Sequence, residues 1–288
     1  AAICENLEHK AEWMMKNIRE NEWIPDGTDG GWFNGYYDNN GRPVERCESG
    51  DVRMMLTGQV FAIMSGTAKK EQIKAICNSA DKYLFDQKAG GYRLNTDFKE
   101  EKFDLGRMFG FAYGEKENGA VFSHMAVMYA NALYKQGFIK EGYKVLKTLL
   151  DTAMDFDRSR MYPGVPEYFD NDLYSYLTGA ASWYMLTMIT SVYGVHGELG
   201  DLVIEPALMP QQYNEKGDAK VSLEFAGHGF DILVHNPDKL EPGDAQVKRA
   251  LCDDVKVENV TGNSVRIPKH AIEMLSTDKC HTVEIYIE

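Results

Sequence analysis

Three loop-to-helix junctions hold most of the side chains able to do chemistry. The first runs from Gly114 to His124 and reads GEKENGAVFSH. Lys116, Glu117 and Asn118 fall in the loop, and His124 falls in the first turn of the helix that follows. Charged and amide groups gathered ahead of a buried helix suit sugar hydroxyls, through charge-assisted hydrogen bonds. The same residues also fit a plain structural role, with Asn118–Gly119 as a turn, Glu117 complementing the helix dipole and His124 as a satisfied core histidine. The second junction, Tyr176 to Trp183, reads YLTGAASW. A Thr-Gly pair opening a helix, here Thr178 and Gly179, offers a hydroxyl and an unhindered amide where the dipole is positive, which suits an oxyanion such as phosphate. An ordinary N-cap at Thr178 is the alternative. In the third, GVPEYFD from Gly164 to Asp170, a proline stiffens the loop ahead of Glu167 and Tyr168. Spacing alone reads Glu167 as a solvated loop carboxylate, and its place in the loop also allows a substrate contact.

Other polar groups read as structure. Gly58 and Gln59 sit in LTGQVFAIMSG, where a small residue lets helices approach closely. Asp151, Asp155 and Asp157 form a solvated face at a helix end, and Gly30 to Phe33 is a loop with an aromatic platform. No nucleophile-elbow, P-loop, HExxH or dinucleotide-binding glycine pattern occurs.

The elements that must position these loops fall into two halves. Up to about residue 194 the chain reads as helices, near 3–22, 51–66, 70–86, 120–136, 139–154 and 177–193. On 51–66, for example, Val52, Met55, Leu56, Val60, Ile63 and Met64 form one stripe. A very short turn at Gly137 makes 120–136 and 139–154 an antiparallel pair. Long loops at 22–50 and 90–119 separate the helices, and loops of that length are usually functional. Helical hairpins with long loops at one end predict part of an α/α toroid, with too few helices to close it. After Gly197 the pattern becomes β-branched and alternating, at 201–208, 220–225, 230–235, 255–260, 264–267 and 282–287, which predicts a small antiparallel sandwich. The expected organisation is therefore a helical portion over 1–196 and an all-β domain over 197–288.

Composition narrows the partners. The 288 residues are 44% hydrophobic and 26% charged, as in a soluble globular protein. A formal charge of -13 repels nucleic-acid backbones and anionic membranes, while leaving room for a small anion in a local cradle of amides. Five scattered cysteines form neither a disulfide framework nor a zinc site, and no metal is expected. No apolar run is long enough to span a membrane. The opening AAICENLEHKAEWMM reads as an amphipathic helix rather than a signal peptide, and it begins without Met, as a fragment would. A reduced, cytoplasmic setting is the expectation.

Four blocks in this order, LTGQVFAIMSGTA at 56–68, KENGAVFSH at 116–124, PEYF at 166–169 and YLTGAASW at 176–183, resemble the inverting β-glycoside phosphorylases of glycoside hydrolase family 94. GELGDLVIEPAL resembles the family's junction into its C-terminal β-domain, and the likeness runs from about Trp32 to Asn236. The resemblance implies an (α/α)6 barrel, of which this chain would hold the second part, followed by a jelly-roll-like domain. It implies phosphate binding by His124, Thr178 and Gly179, and sugar contact by Lys116. For Glu117 and Glu167 the carry-over rests on loop position and membership of a block. The family's general acid is an Asp upstream of these blocks, and nothing before Trp32 matches its motif. No catalytic residue is therefore expected within the chain, which should be inactive unless another chain supplies the missing half. Family members are commonly dimers, so a second copy and the missing N-terminal portion join β-linked oligosaccharide and phosphate as expected partners.

The chemistry that the resemblance implies is reversible phosphorolysis of a β-linked gluco-oligosaccharide to α-glucose 1-phosphate and a shortened sugar, a glycosyl transfer to phosphate that needs no cofactor. The short run from PEYF to YLTG resembles the oligosaccharide-acting members more than the cellobiose-acting ones. An inverting hydrolase needs both an acid and a base to activate water. Phosphate is already a nucleophile, so the base can be dispensed with and a held dianion takes its place. Two rivals stand beside this reading: a toroidal hydrolase with Glu117 and Glu167 as its two carboxylates, and a non-catalytic carbohydrate-binding fragment.

Overall fold

The structure, a computed structural model, describes residues 2–161, 164–169 and 179–288. The chain divides into two compact units, Ala1–Tyr184 and Met185–Glu288. The change of pattern read at Gly197 lies inside the second unit, past residues 185–192 that are still helical.

In the first unit, helix α1 (Ala2–Asn21) buries none of its residues. The segment expected to be a long bare loop holds two small hairpins instead: β1 (Trp23–Asp26) with β2 (Gly30–Phe33), and β3 (Arg46–Glu48) with β4 (Asp51–Arg53). The last of these corrects the helix expected from Asp51. Val52 pairs with Cys47 across the hairpin, and Thr96 receives the Met54 amide at 3.1 Å while donating to the Val52 carbonyl at 2.9 Å. Those bonds keep the stretch extended, so helix α2 spans only Leu56–Met64. Its Gln59 is fully buried and brackets Phe33, whose amide donates to Oε1 and whose carbonyl accepts from Nε2, each at 2.8 Å. Both contacts support the packing role read for Gln59.

Helix α3 (Lys70–Tyr83) follows, then the short pair β5 (Phe85–Asp86) and β6 (Gly91–Tyr92). Two 3-10 turns, Phe103–Leu105 and Arg107–Gly110, give local order to the loop expected over 90–119. Around them Val44, Phe98, Leu105 and Phe109 form a satellite core. Helix α4 (Ser123–Lys135) is buried along nearly all its length, and α5 (Ile139–Met154), a helix expected at 139–154, buries Val145, Leu146 and Leu149 on one stripe. A single turn, α6 (Phe156–Ser159), is capped by Asp155, whose carboxylate accepts the Asp157 amide at 3.1 Å. One of the three acidic residues read as a solvated face therefore ends a helix. Helix α7 (Gly179–Thr187) continues as a π-turn over Met188–Val192. The start expected at 177 lies outside the described residues.

The second unit contains two sheets. The smaller, in order β13-β14-β8-β7, comprises β7 (Val195–Glu198), β8 (Asp201–Ile204), β13 (Val260–Thr261) and β14 (Ser264–Ile267). The larger, in order β12-β11-β15-β10-β9, comprises β9 (Asp218–Phe225), β10 (His228–His235), β11 (Val247–Cys252), β12 (Val255–Lys256) and β15 (Cys280–Ile287). Helix α8 (Lys269–Ile272) is a single turn. Strand β10 alternates buried and half-buried residues, with Phe230, Ile232 and Val234 fully inside. One pairing departs from the antiparallel expectation: β10 runs parallel to β15, with Ile232 opposite Val283. The single strand expected over 255–260 is two short ones separated by 257–259, and β11, VKRALC, has no counterpart among the expected strands.

Candidate functional site

The KENG loop is held rigidly from below. Gly114 N–H donates to Asn118 O at 2.7 Å and Asn118 N–H to Glu115 O at 2.9 Å, closing a tight turn. The Asn118 side chain is a staple: its Nδ2 donates to Phe111 O at 2.8 Å and its Oδ1 accepts from Asn95 at 3.0 Å. Gly119 has φ +78, and a Cβ there would strike the Tyr113 ring at 2.3 Å, so only glycine fits. Arg93, paired with Asp86 at 2.9 Å, donates to the Gly119 carbonyl at 2.7 Å. Asn118 and Gly119 thus act as the turn that their types predict.

This scaffold presents Lys116 and Glu117. Lys116 takes φ +45, uncommon for a side-chain-bearing residue. Its Nζ lies 4.9 Å from the centre of the Phe111 ring, which the Arg107 guanidinium also faces at 5.5 Å. Arg107 Nη2 is 3.4 Å from Glu117 Oε1, while Glu117 Oε2 is sealed from solvent without a partner among the described residues. Arg107, Lys116, Glu117, Phe122, Glu167 and Tyr168 line a cavity of about 120 Å³. A single water needs roughly 10–15 Å³ by a comparable measure, so the space suits a small polyoxygen ligand. All three residues expected to touch sugar therefore line one cavity.

Glu167 is not solvated, contrary to the reading from spacing alone: it is 7% exposed. The backbone places it. Ser123 N–H, at the start of α4, donates to the Glu167 carbonyl at 2.8 Å, Phe122 bridges to Tyr168, and those two rings stack 6.1 Å apart. Burial pushes the Glu167 carboxyl above its ordinary range, against the opposing pull of nearby His124 and of the Ala180 amide that donates to it. Its Oε2 is buried without a partner among the described residues.

The third group is His124. Its ring sits directly on Gly179: a Cβ built there would lie 2.1 Å from Nδ1. The Trp183 ring is 5.8 Å away, and Nε2 is buried with no partner among the described residues. The first turn of α4, at His124, thus meets Gly179 of α7. Thr178 lies outside the described residues. Two contributors carry little signal in the sequence: Arg107, in an otherwise aromatic loop, and the Ala180 amide, which any residue would supply. No group of three or more His, Cys, Asp or Glu among the described residues is placed to hold a metal ion.

Residues 2–194 match the catalytic domain of the glycosyl hydrolase 94 superfamily, and the chain belongs to that family. It is 27% identical over 254 residues to a cellobionic acid phosphorylase of Neurospora crassa, covering 78% of this chain and 31% of that protein. A 3-O-beta-D-glucopyranosyl-beta-D-glucuronide phosphorylase of Paenibacillus borealis is 25% identical, with coverages of 76% and 29%. An N,N'-diacetylchitobiose phosphorylase of Vibrio proteolyticus is 26% identical, with coverages of 80% and 30%. The chain thus spans under a third of the length of these relatives. A solved structure described as a sialidase superposes on 92% of the chain with a TM-score of 0.56 at 12% identity, a likeness of fold alone.

Proposed function

We propose that this chain forms the phosphate- and sugar-binding part of an inverting phosphorylase. The reaction is reversible phosphorolysis of a β-linked gluco-oligosaccharide to α-glucose 1-phosphate and a shortened sugar. On this reading the helical unit is part of an (α/α)6 toroid, the second unit is a jelly-roll-like sandwich, and the setting is cytoplasmic. One observation carries it: a buried His124 Nε2, unpartnered among the described residues, on a ring seated against Gly179. Such an atom costs stability unless a ligand satisfies it.

Phosphate enters as His124, Thr178 and the Gly179 amide hold it beside the anomeric carbon, on the face opposite the leaving group. Its oxygen forms the new bond to that carbon as the glycosidic C–O bond breaks. The departing oxygen takes a proton from a general acid that we assign to a segment outside this chain. Lys116, Glu117 and Glu167 hold sugar hydroxyls. The chain's contribution is chiefly positioning, which makes the attack effectively unimolecular. Its partners are the oligosaccharide, phosphate, the remaining portion of the enzyme and a second copy.

The test is an assay of the full-length protein with and without inorganic phosphate, for wild type and His124→Ala. Glucose 1-phosphate formed only with phosphate, and lost in the variant, supports the reading. Free sugar released equally without phosphate refutes it. That second result would favour hydrolysis, for which Glu117 and Glu167 are suggestive because both line one cavity and each has an unpartnered oxygen.

A further inference from the structure

A second cavity adjoins the one that holds Glu167. It measures about 400 Å³, and its lining comes from two stretches of one loop, 97–103 and 109–113, together with Asn118. That volume falls within the range of about 300–1,000 Å³ usual for small-molecule sites. Its floor is aromatic, with the Phe98 and Phe109 rings packed 5.2 Å apart in the satellite core. Its rim is polar. Asp97 stands there, one carboxylate oxygen accepting the Lys99 amide at 2.9 Å. The Tyr113 hydroxyl donates to the Asn95 carbonyl at 3.2 Å, which leaves its oxygen able to accept. Phe103 also lines the space and is 70% exposed, an apolar ring with area to gain by being covered.

The walls are held in place by the fold itself. Glu100 pairs with Arg53 and, at 3.0 Å, with Lys102, and the Arg53 guanidinium lies over the Phe98 ring at 5.1 Å. An aromatic surface edged by hydrogen-bonding groups matches a pyranose, whose ring has apolar C–H faces and a polar circumference. The position of the cleft identifies which pyranose. Phe111 forms part of its wall, and that same ring is faced by Lys116 Nζ at 4.9 Å and by the Arg107 guanidinium at 5.5 Å, two groups of the Glu167 cavity. One ring thus stands between the two spaces, a gap that adjacent residues of a linked chain can bridge. We propose that this cleft is a further sugar subsite, with Phe103 as its stacking platform, holding the oligosaccharide residue next to the one in the Glu167 cavity. The inference rests on the sugar-binding part of the proposed function and not on its phosphate site. Its consequence is a dependence on chain length, with a step in affinity at the one added sugar that reaches the cleft.

The experiment is calorimetry on the full-length protein, without phosphate, using β-linked gluco-oligosaccharides from methyl β-glucoside to the pentaose. Phosphorolysis kinetics on the same series run in parallel. Wild type is expected to gain about fivefold in affinity and in kcat/KM at a single added residue, the scale of one stacked ring. Phe103→Ala is expected to abolish that step, so that longer oligomers fall to the value of the length before it, and Phe103→Trp to restore it. An unfolding curve of each variant checks that the fold is intact. A structural role alone would lower every length together. No step in wild type, or a step that survives in Phe103→Ala, overturns the proposal. The titrations need no reaction, so a protein that shows the step but forms no glucose 1-phosphate loses the phosphate reading and keeps the subsite.

Discussion

Buried polar groups are treated differently in the two units. In the β unit, His281 is 1% exposed, with Nδ1 2.7 Å from Asp253 Oδ2 and Nε2 2.7 Å from the Ser276 carbonyl. The buried Asn236 closes its own loop, donating to Leu240 O at 3.0 Å and accepting from Leu240 N at 2.9 Å. Two of its buried atoms, His235 Nε2 and Asn263 Oδ1, make no hydrogen bond among the described residues, and the first lies 3.5 Å from Glu284 Oε1. In the helical unit, Glu117 Oε2, Ser123 Oγ, His124 Nε2 and Glu167 Oε2 are buried without partners among the described residues along the same two segments, while Arg46 Nε, Asn95 Oδ1 and Tyr134 OH are scattered elsewhere. A group whose task is to hold the fold finds its partner within the fold. Groups left unsatisfied together mark where the fold holds a place for something else.

The sharpest way to break this contrast is His124→Ala in the full-length protein. Loss of a hydrogen bond to a charged ligand is expected to weaken phosphate use by about 3 kcal/mol, more than a hundredfold in kcat/KM. Stability should move by less than about 1 kcal/mol, because the lost nitrogen has no partner to leave behind. Phosphate kinetics and urea unfolding of the same variant read the two effects. The β-unit counterpart is Asp253→Ala. Hydrogen bonds from Lys279 and from the Thr282 amide hold the Asp253 carboxyl well below its usual range. Removing it strips His281 of a partner and is expected to cost about 2 kcal/mol of stability, less than for a fully sealed pair because Asp253 is a quarter exposed. Phosphate kinetics should not change. A His124 variant that unfolds easily, or an Asp253 variant that loses phosphate use, would erase the distinction.

How much of this was legible in the sequence follows from which interactions are local. The helix at α5 and the alternation of β10 are properties of one element, and both appear where the local pattern places them. Asp51–Arg53 reads as the start of a helix because its alternative, a tight hairpin with Arg46–Glu48, is held by bonds to Thr96, far along the chain. The same holds for β11, whose VKRALC carries two adjacent charges, and for the parallel β10–β15 pair. At the site, the loop that offers Lys116 and Glu117 was visible from its turn residues. The burial of Glu167 was not, because Phe122 stacking on Tyr168 comes from a distant segment. The Ala180 amide has no side-chain signature at all.

A third variant tests whether every unusual carboxyl in the helical unit belongs to the site. Glu45 is 1% exposed and accepts the Gly35 and Met55 amides, each at 2.8 Å. Burial pushes its carboxyl up to about 8, against those two donors. Because the folded form holds this proton more tightly than the unfolded chain, its contribution is full below the unfolded value near 4.5 and is lost as pH rises through about 8. Glu45→Gln is expected to remove that decline, so that its stability relative to wild type rises by about 2 kcal/mol between pH 4 and pH 9, read by urea unfolding at both, on top of a pH-independent loss of about 1 kcal/mol because the Gln NH2 cannot accept one of the two amides. Phosphate use should be unaffected, since both Glu45 oxygens already have partners.

The smallest effect is expected at Gly179→Ala, and it is the most discriminating. A methyl group there would lie 2.1 Å from His124 Nδ1, so the ring must move. A displacement of this kind is expected to raise KM for phosphate about tenfold, about 1.4 kcal/mol. Global stability should hardly change, because alanine is favoured over glycine within a helix by about 1 kcal/mol and this offsets the crowding. If the unfolding curve shifts while KM stays put, the histidine and the α7 amide meet only as packing, and the unpartnered nitrogen needs another explanation. If KM moves while the curve stays, their contact belongs to the ligand rather than to the fold.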